Sequence, residues 1–454
     1  MQSFDLIVIG SGSGLEVSSE AAGRGLSVAV VESGPFGGTC LNRGCIPSKM
    51  LIHSADVVET IRRSELFGIK AEIAAIDWDF IVKRASDTVD EDARMIEKGN
   101  RQHPNITVFG DSARFVDHKT LEVAGETITA ETIVIAAGTR PRVPPIEGLA
   151  DVSFITSDQA LRLPKQPARM VIVGAGFVAA ELAHFFGALG TEVTIVHRGT
   201  RLLRQEDEQI SERFTEVYKR RFPMLLDAKV TGVEKRGDEI VLQVASSDGE
   251  QTIETDALLI AVGRVPNTDT LDVTKTGVDV DEAGYVKADE YLETNEPGIW
   301  ALGDIVGRYL LKHSANLEAA YVAHNIFNPE QKAAVDYHAM PHAVFASPQV
   351  ASVGLTEQEA REKDVPFVTG VYNYSDTAYG SSIEDNDGFV KVLAHSETRE
   401  ILGCHIIGSE ASILIQEVAN AMRARADTSA ITQAIYVHPA LPEVVQRAFG
   451  ALAA

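Results

Sequence analysis

The chain contains 454 residues, 45% of them hydrophobic, so it can bury two or three cores and is too long for a single one. Its 65 acidic and 41 basic residues give a formal net charge of −24, which argues against binding to nucleic acid or anionic lipid. No apolar run is long enough to span a membrane, and the N-terminal MQSFDLIVIG lacks the basic flank of a signal peptide. We therefore expect a cytoplasmic protein with no nucleic-acid and no membrane partner.

The first elements form a βαβ pattern. DLIVI (5–9) and SVAVV (27–31) are short apolar runs typical of buried strands, and a glycine-rich turn and a helical stretch lie between them. Gly10 and Gly12 allow the backbone to close on a pyrophosphate at the helix N-terminus. Glu32 follows Gly12 by 20 residues, where a carboxylate can bind ribose hydroxyls. The pattern predicts a dinucleotide-binding unit.

One position departs from the G-x-G-x-x-G fingerprint. Its third glycine would fall at position 15, which is Leu15, and Gly14 stands one place early. We therefore expect that Gly14 does not fill the helix-packing role of the third glycine.

Two of the three cysteines, Cys40 and Cys45, lie five residues apart in FGGTCLNRGCIPSKM (36–50). Structural disulfides are rare in the cytosol, and two cysteines are too few for a structural zinc site, so we expect no metal. A redox-active pair and two buried thiols both fit the spacing. Cys404, in the apolar run ILGCHIIG, is expected to be a packed core thiol.

A second fingerprint follows at RMVIVGAGFVAAELAHFF (169–186), with Gly174 and Gly176 between a strand and a helix. The next strand, TEVTIV (191–196), is followed by His197 and Arg198 instead of an acidic residue. An acid there favours NAD, whereas Arg198 or Arg204 can hold the 2′-phosphate of NADP. The second unit is thus predicted to bind NADPH in preference to NADH.

Three further segments are predicted to be strands, each followed by a turn. TIVIAAGTRPRVP (132–144) and DALLIAVGRVPN (256–267) are similar strand-plus-turn units, and GIWALGD (298–304) places Asp304 at the carboxyl end of a strand. Ligands of open α/β sheets bind at such ends. From about residue 335 the pattern changes to an α+β mixture.

Among the 12 histidines, His438 is the best candidate for a catalytic acid, because HPALPE places Glu443 five residues later, able to fix the imidazole tautomer. Lys49 lies four residues after Cys45 and so on the same helical face.

These motifs, in this order, resemble the flavoprotein pyridine-nucleotide disulfide oxidoreductases, the family of glutathione reductase and dihydrolipoamide dehydrogenase, over essentially the whole chain. The resemblance implies an α/β fold with two Rossmann-like dinucleotide-binding domains, one for FAD and one for NAD(P)H, plus a C-terminal α+β dimerisation domain. Residues 1–148 and 266–334 would form the FAD-binding domain, 149–265 the NAD(P)H-binding domain and 335–454 the dimerisation domain. It also implies an obligate homodimer with an active site shared across the interface.

The resemblance assigns roles to the motif residues. Cys45 would be the charge-transfer thiol next to the flavin, and Cys40 the interchange thiol that attacks the substrate. Glu181 would pair with Lys49 beside the flavin, and the pair formed by His438 and Glu443 would act on the other subunit. The predicted cofactor contacts are Gly10, Gly12, Glu32, Lys49 and Asp304 for FAD; Gly174, Gly176, Phe177, His197, Arg198 and Arg204 for NADPH; and Gly14, Thr39, Gly138 and Gly263 as further dinucleotide contacts.

Within the family, GSGSGLE, YLLKHSANLEA (309–319), YSDTAYG (374–380) and HPALPEVV (438–445) look most like the mycothione reductase branch. The implied reaction is NADPH-dependent reduction of a low-molecular-weight disulfide, with mycothione as the expected substrate. One alternative is a dihydrolipoamide dehydrogenase of a 2-oxoacid dehydrogenase complex. The other is a bis-γ-glutamylcystine reductase, if the acidic composition marks a halophilic archaeon.

Overall fold

The structure is a computed structural model that describes residues 1–247 and 249–453. The chain divides into two compact units, each assembled from three segments. The first contains Met1–Met50, Phe80–Arg142 and Gly263–Tyr337; the second contains Leu51–Asp79, Val143–Val262 and the chain from His338 onward.

The helices are given in chain order. They are α1 (Gly14–Gly23), α2 (Gly38–Arg43), α3 (Cys45–Arg62), α4 (Trp78–Gln102), α5 (Ser157–Ala160), α6 (Phe177–Ala188), α7 (Glu208–Arg221), α8 (Lys312–Phe327), α9 (Glu357–Glu362), α10 (Ala378–Ser382), α11 (Ala411–Arg423), α12 (Ser429–Thr432) and α13 (Pro442–Gly450).

The strands follow the same order. They are β1 (Gln2–Ile9), β2 (Val28–Val31), β3 (Ile106–Phe109), β4 (Ala113–Asp117), β5 (Thr120–Val123), β6 (Glu126–Ile135), β7 (Thr139–Pro141), β8 (Phe154–Ile155), β9 (Arg169–Val173), β10 (Glu192–Val196), β11 (Met224–Leu225), β12 (Ala228–Arg236), β13 (Glu239–Ser246), β14 (Gly249–Thr255), β15 (Ala257–Ile260), β16 (Arg264–Pro266), β17 (Ile299–Ala301), β18 (His342–Val344), β19 (Gln349–Gly354), β20 (Phe367–Asn373), β21 (Phe389–His395) and β22 (Ile401–Gly408).

The main sheet of the first unit has the strand order β3-β2-β1-β6-β5-β4, and β17 also pairs with β6. The strands β3, β2, β1, β6 and β17 are mutually parallel where they pair. In β1, Ile7 and Ile9 enter the core on one face while Leu6 and Val8 enter the core on the other. Burial on both faces explains why this strand is a continuous apolar run without alternation.

The two strand-plus-turn segments come together in the first unit. β7 and β16 form a two-stranded antiparallel pair in which Val265 is opposite Arg140. The backbone of Arg142 also donates a hydrogen bond to the carbonyl of Gly263. These turns therefore meet each other beside the main sheet.

The second unit contains a five-stranded parallel sheet, β11-β10-β9-β15-β8, and an antiparallel meander, β12-β13-β14. It also contains an antiparallel sheet of order β18-β19-β22-β21-β20. The core of this last sheet includes buried residues of α11 and α13, such as Val418 and Val444. The predicted fold class, with two Rossmann-like sheets and a C-terminal α+β region, is confirmed. The domain boundaries stay a prediction.

Within residues 1–247 and 249–453, no helix is both long and apolar enough to cross a lipid bilayer.

Candidate active site

The turn between β1 and α1 requires glycine where it approaches the neighbouring strand and the cysteine segment. Gly10 has a φ of +106°, and a Cβ there would lie 2.3 Å from the carbonyl oxygen of Ala136. A Cβ on Gly38 would lie 2.9 Å from the Cα of Gly12, so the backbone of the cysteine segment packs directly against this turn. The N-terminus of α1 thus follows a tight glycine turn, which is the geometry that accepts a pyrophosphate.

The expectation about Gly14 is wrong. Helix α1 begins at Gly14, and a Cβ on this residue would lie 2.9 Å from both Cβ of Ala136 and Cγ1 of Val8. Gly14 therefore provides the close helix–sheet packing usually supplied by a third glycine. The helix makes its closest approach to the sheet one residue earlier than the fingerprint spacing assumes.

Glu32 is fixed directly after β2 by three hydrogen bonds. Its Oε2 accepts from the backbone N–H of Ser11 at 2.9 Å and from the Ser11 hydroxyl at 2.7 Å. Its Oε1 accepts from the backbone N–H of Gly34 at 2.8 Å. Sequence reasoning missed Ser11, although its place between Gly10 and Gly12 was a usable signal.

Four predicted residues follow the carboxyl ends of neighbouring parallel strands. Glu32 follows β2, Gly10 follows β1, Gly138 follows β6 and Asp304 follows β17. Parallel strands end at a common edge, so the first unit gathers these residues at the edge where open α/β sheets bind their ligands.

Asp304 is held by a network that the sequence analysis did not identify. The hydroxyl of Thr139 donates to Oδ2 of Asp304 at 2.9 Å, and Arg264 donates from Nε to that hydroxyl and from Nη2 to the Thr139 carbonyl, each at 2.7 Å. Burial raises the pKa of Asp304, and the Thr139 hydrogen bond and the Arg264 charge oppose this rise. Thr139 and Arg264 belong to the paired AAGTRP and AVGRVP segments, whose similarity was the available signal.

Gly138 and Gly263 sit at the start of these paired segments. Their φ angles are +63° and +111°, and a Cβ on either would meet no atom within 4 Å. Backbone conformation, not crowding, therefore calls for glycine at both positions.

The structure brings Cys40 and Cys45 together. Cys40 lies in α2, Cys45 begins α3, and their side chains are joined by a hydrogen bond. A Cβ on the intervening Gly44 would lie 2.9 Å from the Thr39 carbonyl oxygen and 3.2 Å from the Cys40 Cα, so the reversal between the cysteines needs glycine. Cys40 is half-buried and Cys45 is exposed, so the alternative of two buried thiols is wrong. The redox role of the pair stays a prediction.

The side-chain amide of Asn42 ties down the start of this loop, donating to the carbonyls of Pro35, Phe36 and Gly38 at 2.8 to 3.0 Å. Hydrogen bonding to Cys45, burial and the proximity of Cys45 raise the pKa of the Cys40 thiol, whereas the charge of Lys312 lowers it.

Lys49 lies one helical turn after Cys45 in α3, and its Nζ donates to the Ser48 hydroxyl at 3.4 Å. Thr39 is in α2, directly before Cys40. Cys404 is fully buried in β22, as expected for a core thiol.

The second unit repeats the glycine turn between β9 and α6. Gly174 has a φ of +145°, and a Cβ there would lie 2.2 Å from the Ala261 carbonyl oxygen. Gly176 precedes α6, and a Cβ on it would meet no atom within 4 Å. Space in front of the α6 N-terminus is thus left open for a ligand, beside the partly exposed Phe177.

The residues after β10 form a positively charged loop. Burial, and then the charges of Arg198 and Arg204, lower the pKa of His197. The backbone N–H of Leu203 donates to the Ala175 carbonyl at 2.8 Å, which places this loop against the glycine turn.

Three arginines of this loop differ in their partners. Arg201 binds Glu208 at 2.8 Å and Glu212 at 3.0 Å. Arg198 and Arg204 are exposed, and among the residues that the structure describes neither has an ion pair. Two guanidinium groups are thereby left available to an anionic ligand.

Glu181 is buried in α6, and its Oε1 accepts from the backbone N–H of Phe345 at 2.9 Å. Its predicted pairing with Lys49 stays a prediction.

His438 and Glu443 form a dyad in the second unit. Nδ1 of His438 lies 2.9 Å from Oε1 of Glu443, whose Oε2 accepts from the Ala440 backbone N–H at 3.1 Å. The hydrogen bond with His438 has the larger effect and the one from the Ala440 backbone the smaller, and both lower the pKa of the Glu443 carboxyl. The His438 side chain is 71% exposed, and with Nδ1 directed at Glu443 its Nε2 is the nitrogen available for proton transfer.

Among the described residues, no group of three or more His, Cys, Asp or Glu side chains is arranged to hold a metal ion.

The chain matches two family descriptions. Residues 4–325 match "Pyridine nucleotide-disulphide oxidoreductase", and residues 340–449 match the dimerisation domain of the same family. Mycothione reductase of Mycobacterium tuberculosis is 42% identical over 461 residues, covering 99% of both chains. Dihydrolipoyl dehydrogenase of Chlamydia muridarum is 34% identical, covering 98% of this chain and 95% of the relative.

A solved structure is also similar: the Cu(II) complex of the HOCl-induced flavoprotein disulfide reductase RclA from Escherichia coli. It has a TM-score of 0.87 and 26% identity, and the match covers 99% of each chain. These likenesses confirm the family inferred from the sequence motifs. The chain is an enzyme of the pyridine nucleotide-disulphide oxidoreductase family, a disulfide oxidoreductase whose relatives depend on FAD and use a pyridine nucleotide.

Proposed function

We propose that this enzyme uses FAD and NADPH to reduce a low-molecular-weight disulfide, and that the disulfide is mycothione. The observation that carries the reductase chemistry is the hydrogen-bonded pair of Cys40 and Cys45 beside the glycine turn of the first unit. Full-length identity of 42% with a mycothione reductase, against 34% with a dihydrolipoyl dehydrogenase, supports the choice of substrate.

The first unit fits FAD. The glycine turn at Gly10 and Gly12 presents the α1 N-terminus to a pyrophosphate, and the oriented Glu32 carboxylate can accept hydrogen bonds from ribose hydroxyls. Asp304 would hold the ribityl chain, and the Lys49 ammonium would lie beside the isoalloxazine ring. When bound, FAD would accept a hydride from the nicotinamide nucleotide and pass the two electrons on to sulfur.

Cys40 is the interchange thiol in this proposal. As a thiolate it attacks one sulfur of the substrate disulfide, forming a mixed disulfide and releasing the first thiol. The Cys45 thiolate then attacks Cys40, releases the second thiol and leaves a Cys40–Cys45 disulfide. The two electrons that reduce the substrate thus come from the dithiol.

The dyad supplies the proton. Glu443 holds Nδ1–H of His438, so a protonated His438 can give its Nε2 proton to the leaving thiolate and prevent the reverse attack. The exposed side chain of His438 suits action on another subunit, and the matched dimerisation domain indicates a homodimer. We propose that the homodimer is obligate and that its active site is shared.

The preference for NADPH rests on Arg198 and Arg204. Both guanidinium groups are exposed beside the second glycine turn and can bind the 2′-phosphate. A dihydrolipoamide dehydrogenase remains the second candidate because a relative of that name matches along nearly the whole chain.

Anaerobic titration of the purified enzyme with NADPH tests the proposed transfer of electrons through FAD to Cys40 and Cys45. A long-wavelength absorption band should appear after two electrons and be absent from Cys45→Ser. Steady-state assays with mycothione and lipoamide, each with NADPH and NADH, then test the substrates.

The matched control is Cys404→Ala, which removes the core thiol. Cys40→Ser and Cys45→Ser should lower mycothione turnover by about three orders of magnitude or more, whereas folded Cys404→Ala should keep it. Reduction of the flavin without the long-wavelength band would contradict electron transfer to the two cysteines. Faster turnover of lipoamide with NADH than of mycothione with NADPH would favour the second candidate.

A further inference from the structure

One face of the antiparallel sheet β18-β19-β22-β21-β20 carries a row of polar side chains. The residues are paired in turn across its first four strands: His342, Ser352, His405 and Lys391. Residues directly opposite each other in antiparallel strands project from the same face. Ser352 and His405 are buried, and only 2% of Lys391 is exposed. Buried polar groups need hydrogen-bond partners, so another part of the second unit must bind this face.

The partners are two carboxylates at the N-terminus of α7, Glu206 and Asp207, both of which are buried. Nε2 of His342 lies 2.8 Å from Oε1 of Glu206, and the Ser352 hydroxyl donates to Oε2 at 2.6 Å. Nζ of Lys391 donates to both carboxylate oxygens of Asp207, each at 2.9 Å. The start of α7 is therefore bound to the sheet through both acidic side chains.

Helix α9 completes this contact. The Glu357 carboxylate lies 2.6 Å from Nζ of Lys391, and its backbone N–H donates to Oδ2 of Asp207 at 3.1 Å. The side-chain amide of Gln358 donates to the backbone carbonyl of Glu206 at 2.9 Å. The backbone of this acidic pair is thus held as well as its side chains.

The acidic pair ends the positively charged loop that follows β10. The backbone N–H of Glu206 donates to the Leu203 carbonyl at 2.9 Å, and the Leu203 N–H donates to the Ala175 carbonyl of the second glycine turn at 2.8 Å. Leu203 has a φ of +51°, which is costly for a residue other than glycine and persists only where neighbouring contacts impose it. Arg204 is the next residue. Its place beside the glycine turn therefore depends on how the acidic pair is held.

Buried charges are well suited to holding a loop in one arrangement. A buried ion pair adds little net stability, but separating its members is costly because each charge is left without a partner. Burial raises the pKa of the Glu206 carboxyl, and the hydrogen bond and charge of His342 with the Ser352 hydrogen bond outweigh it, so this pKa lies below its ordinary value. Glu206 is therefore charged at neutral pH.

We propose that Glu206 and Asp207, bound to the polar row of the sheet, are positioning residues for nucleotide specificity: they hold the loop so that Arg204 meets the 2′-phosphate of NADPH. The inference rests on the NADPH preference of the proposed function. The sheet thereby acts on the specificity of a site through the loop that it binds.

The test follows anaerobic reduction of the FAD-loaded, full-length enzyme after rapid mixing with NADPH or NADH. This measurement gives a limiting rate of flavin reduction and a half-saturating nucleotide concentration, and it needs no disulfide substrate. A loop that is merely misplaced should change the second value for NADPH and spare the limiting rate.

Ser352→Ala removes one hydrogen bond to Glu206 and should raise the half-saturating NADPH concentration by about threefold, and Glu206→Ala by about tenfold. The limiting rate and the half-saturating NADH concentration should change by less than about twofold, since NADH lacks the 2′-phosphate. Glu206→Gln keeps an acceptor for Ser352 and should restore most of the NADPH affinity. If Glu206→Ala does not fold, Ser352→Ala decides the question.

Ser412→Ala is the matched control. The Ser412 hydroxyl donates to Oε1 of Gln349 in β19 at 2.9 Å, but it belongs to α11, whose buried residues pack on the other face of the sheet. Neither nucleotide should respond to this change. Hydrogen exchange of the nucleotide-free enzyme over residues 197–207 should become faster in Ser352→Ala and stay unchanged in Ser412→Ala.

The outcomes separate the inference from the proposed function. If the parent enzyme does not prefer NADPH to NADH, the proposed cofactor falls and the inference falls with it. If the parent prefers NADPH but Ser352→Ala and Glu206→Ala leave that preference unchanged, only the positioning role is overturned, even where exchange of the loop is faster. An equal rise for both nucleotides also overturns it, because the acidic pair would then serve the loop as a whole.

Discussion

The two glycine turns of this chain, between β1 and α1 and between β9 and α6, share one close backbone contact. In the first, a side chain on Gly10 would meet the Ala136 carbonyl at 2.3 Å; in the second, one on Gly174 would meet the Ala261 carbonyl at 2.2 Å. Both carbonyls follow the neighbouring parallel strand, and both glycines have positive φ. Strand-to-helix geometry therefore dictates this first glycine in each turn.

The two turns differ in the residues that surround this glycine–carbonyl contact. In the first unit, Gly12 packs against Gly38, and Glu32 is tied to the turn by Ser11. In the second, Gly176 faces open space, and His197 stands where the acid would be. In the proposed function, the backbone of both turns would recognise what all dinucleotides share, and the side chains after the second strand would distinguish between them.

The largest expected effect comes from disrupting the glycine–carbonyl contact that both turns share. Gly174→Ala forces a Cβ against the Ala261 carbonyl in a backbone conformation that L-residues avoid, and should cost about 3 kcal/mol of unfolding free energy. Urea denaturation of the purified variant measures this loss.

Gly176→Ala is the matched control two residues away. Its Cβ has no neighbour within 4 Å, so the fold should lose less than about 1 kcal/mol. Nucleotide affinity should nevertheless fall if a pyrophosphate approaches that surface. Equal losses of stability in the two variants would contradict this account of the turn.

A smaller effect is expected where the turns differ. Replacing both Arg198 and Arg204 with alanine should lower kcat/KM for NADPH by about 100-fold, because two charge-assisted contacts to the 2′-phosphate are lost. The value for NADH should change by less than about twofold, since NADH lacks that phosphate. Steady-state kinetics with each nucleotide gives both numbers.

Arg201→Ala is the control from the same loop, because Arg201 is already paired with Glu208 and Glu212. It should leave the preference between nucleotides unchanged. An equal loss with NADPH and NADH in the double variant would instead indicate general damage to the loop.

The smallest effect concerns pH. The folded-state pKa of His197 lies below its ordinary value of about 6.5, so the residue is neutral near pH 7. As pH falls through the lowered pKa, His197 gains a charge next to the two arginines, and KM for NADPH should fall by less than about tenfold. Without nucleotide, the stability contributed by neutral His197 is present above about pH 6.5 and is lost as pH falls through the lowered pKa.

His197→Gln should flatten the pH dependence of KM for NADPH, and KM for NADH should show no such trend in either protein. A trend that is unchanged in His197→Gln would assign it to another group.

Much of this organisation could be predicted from local pattern. The strands of both βαβ units, the paired glycine turns and the cysteine loop were all predicted, because each is encoded by a short apolar period or by residues a few positions apart. The misjudged role of Gly14 shows the limit. A fixed spacing rule assumes where a helix first touches its sheet, and here that contact comes one residue early.

The sequence by itself determined the family, the two glycine-turn βαβ units and the pairing of two cysteines in one short segment, since these depend on contiguous motifs. Only the tertiary structure decided which distant side chains serve them. Ser11 orients Glu32, and Arg264 and Thr139 hold Asp304. The physical reason is that hydrogen bonds and charges act over a few ångströms in space, whereas a motif records only proximity along the chain.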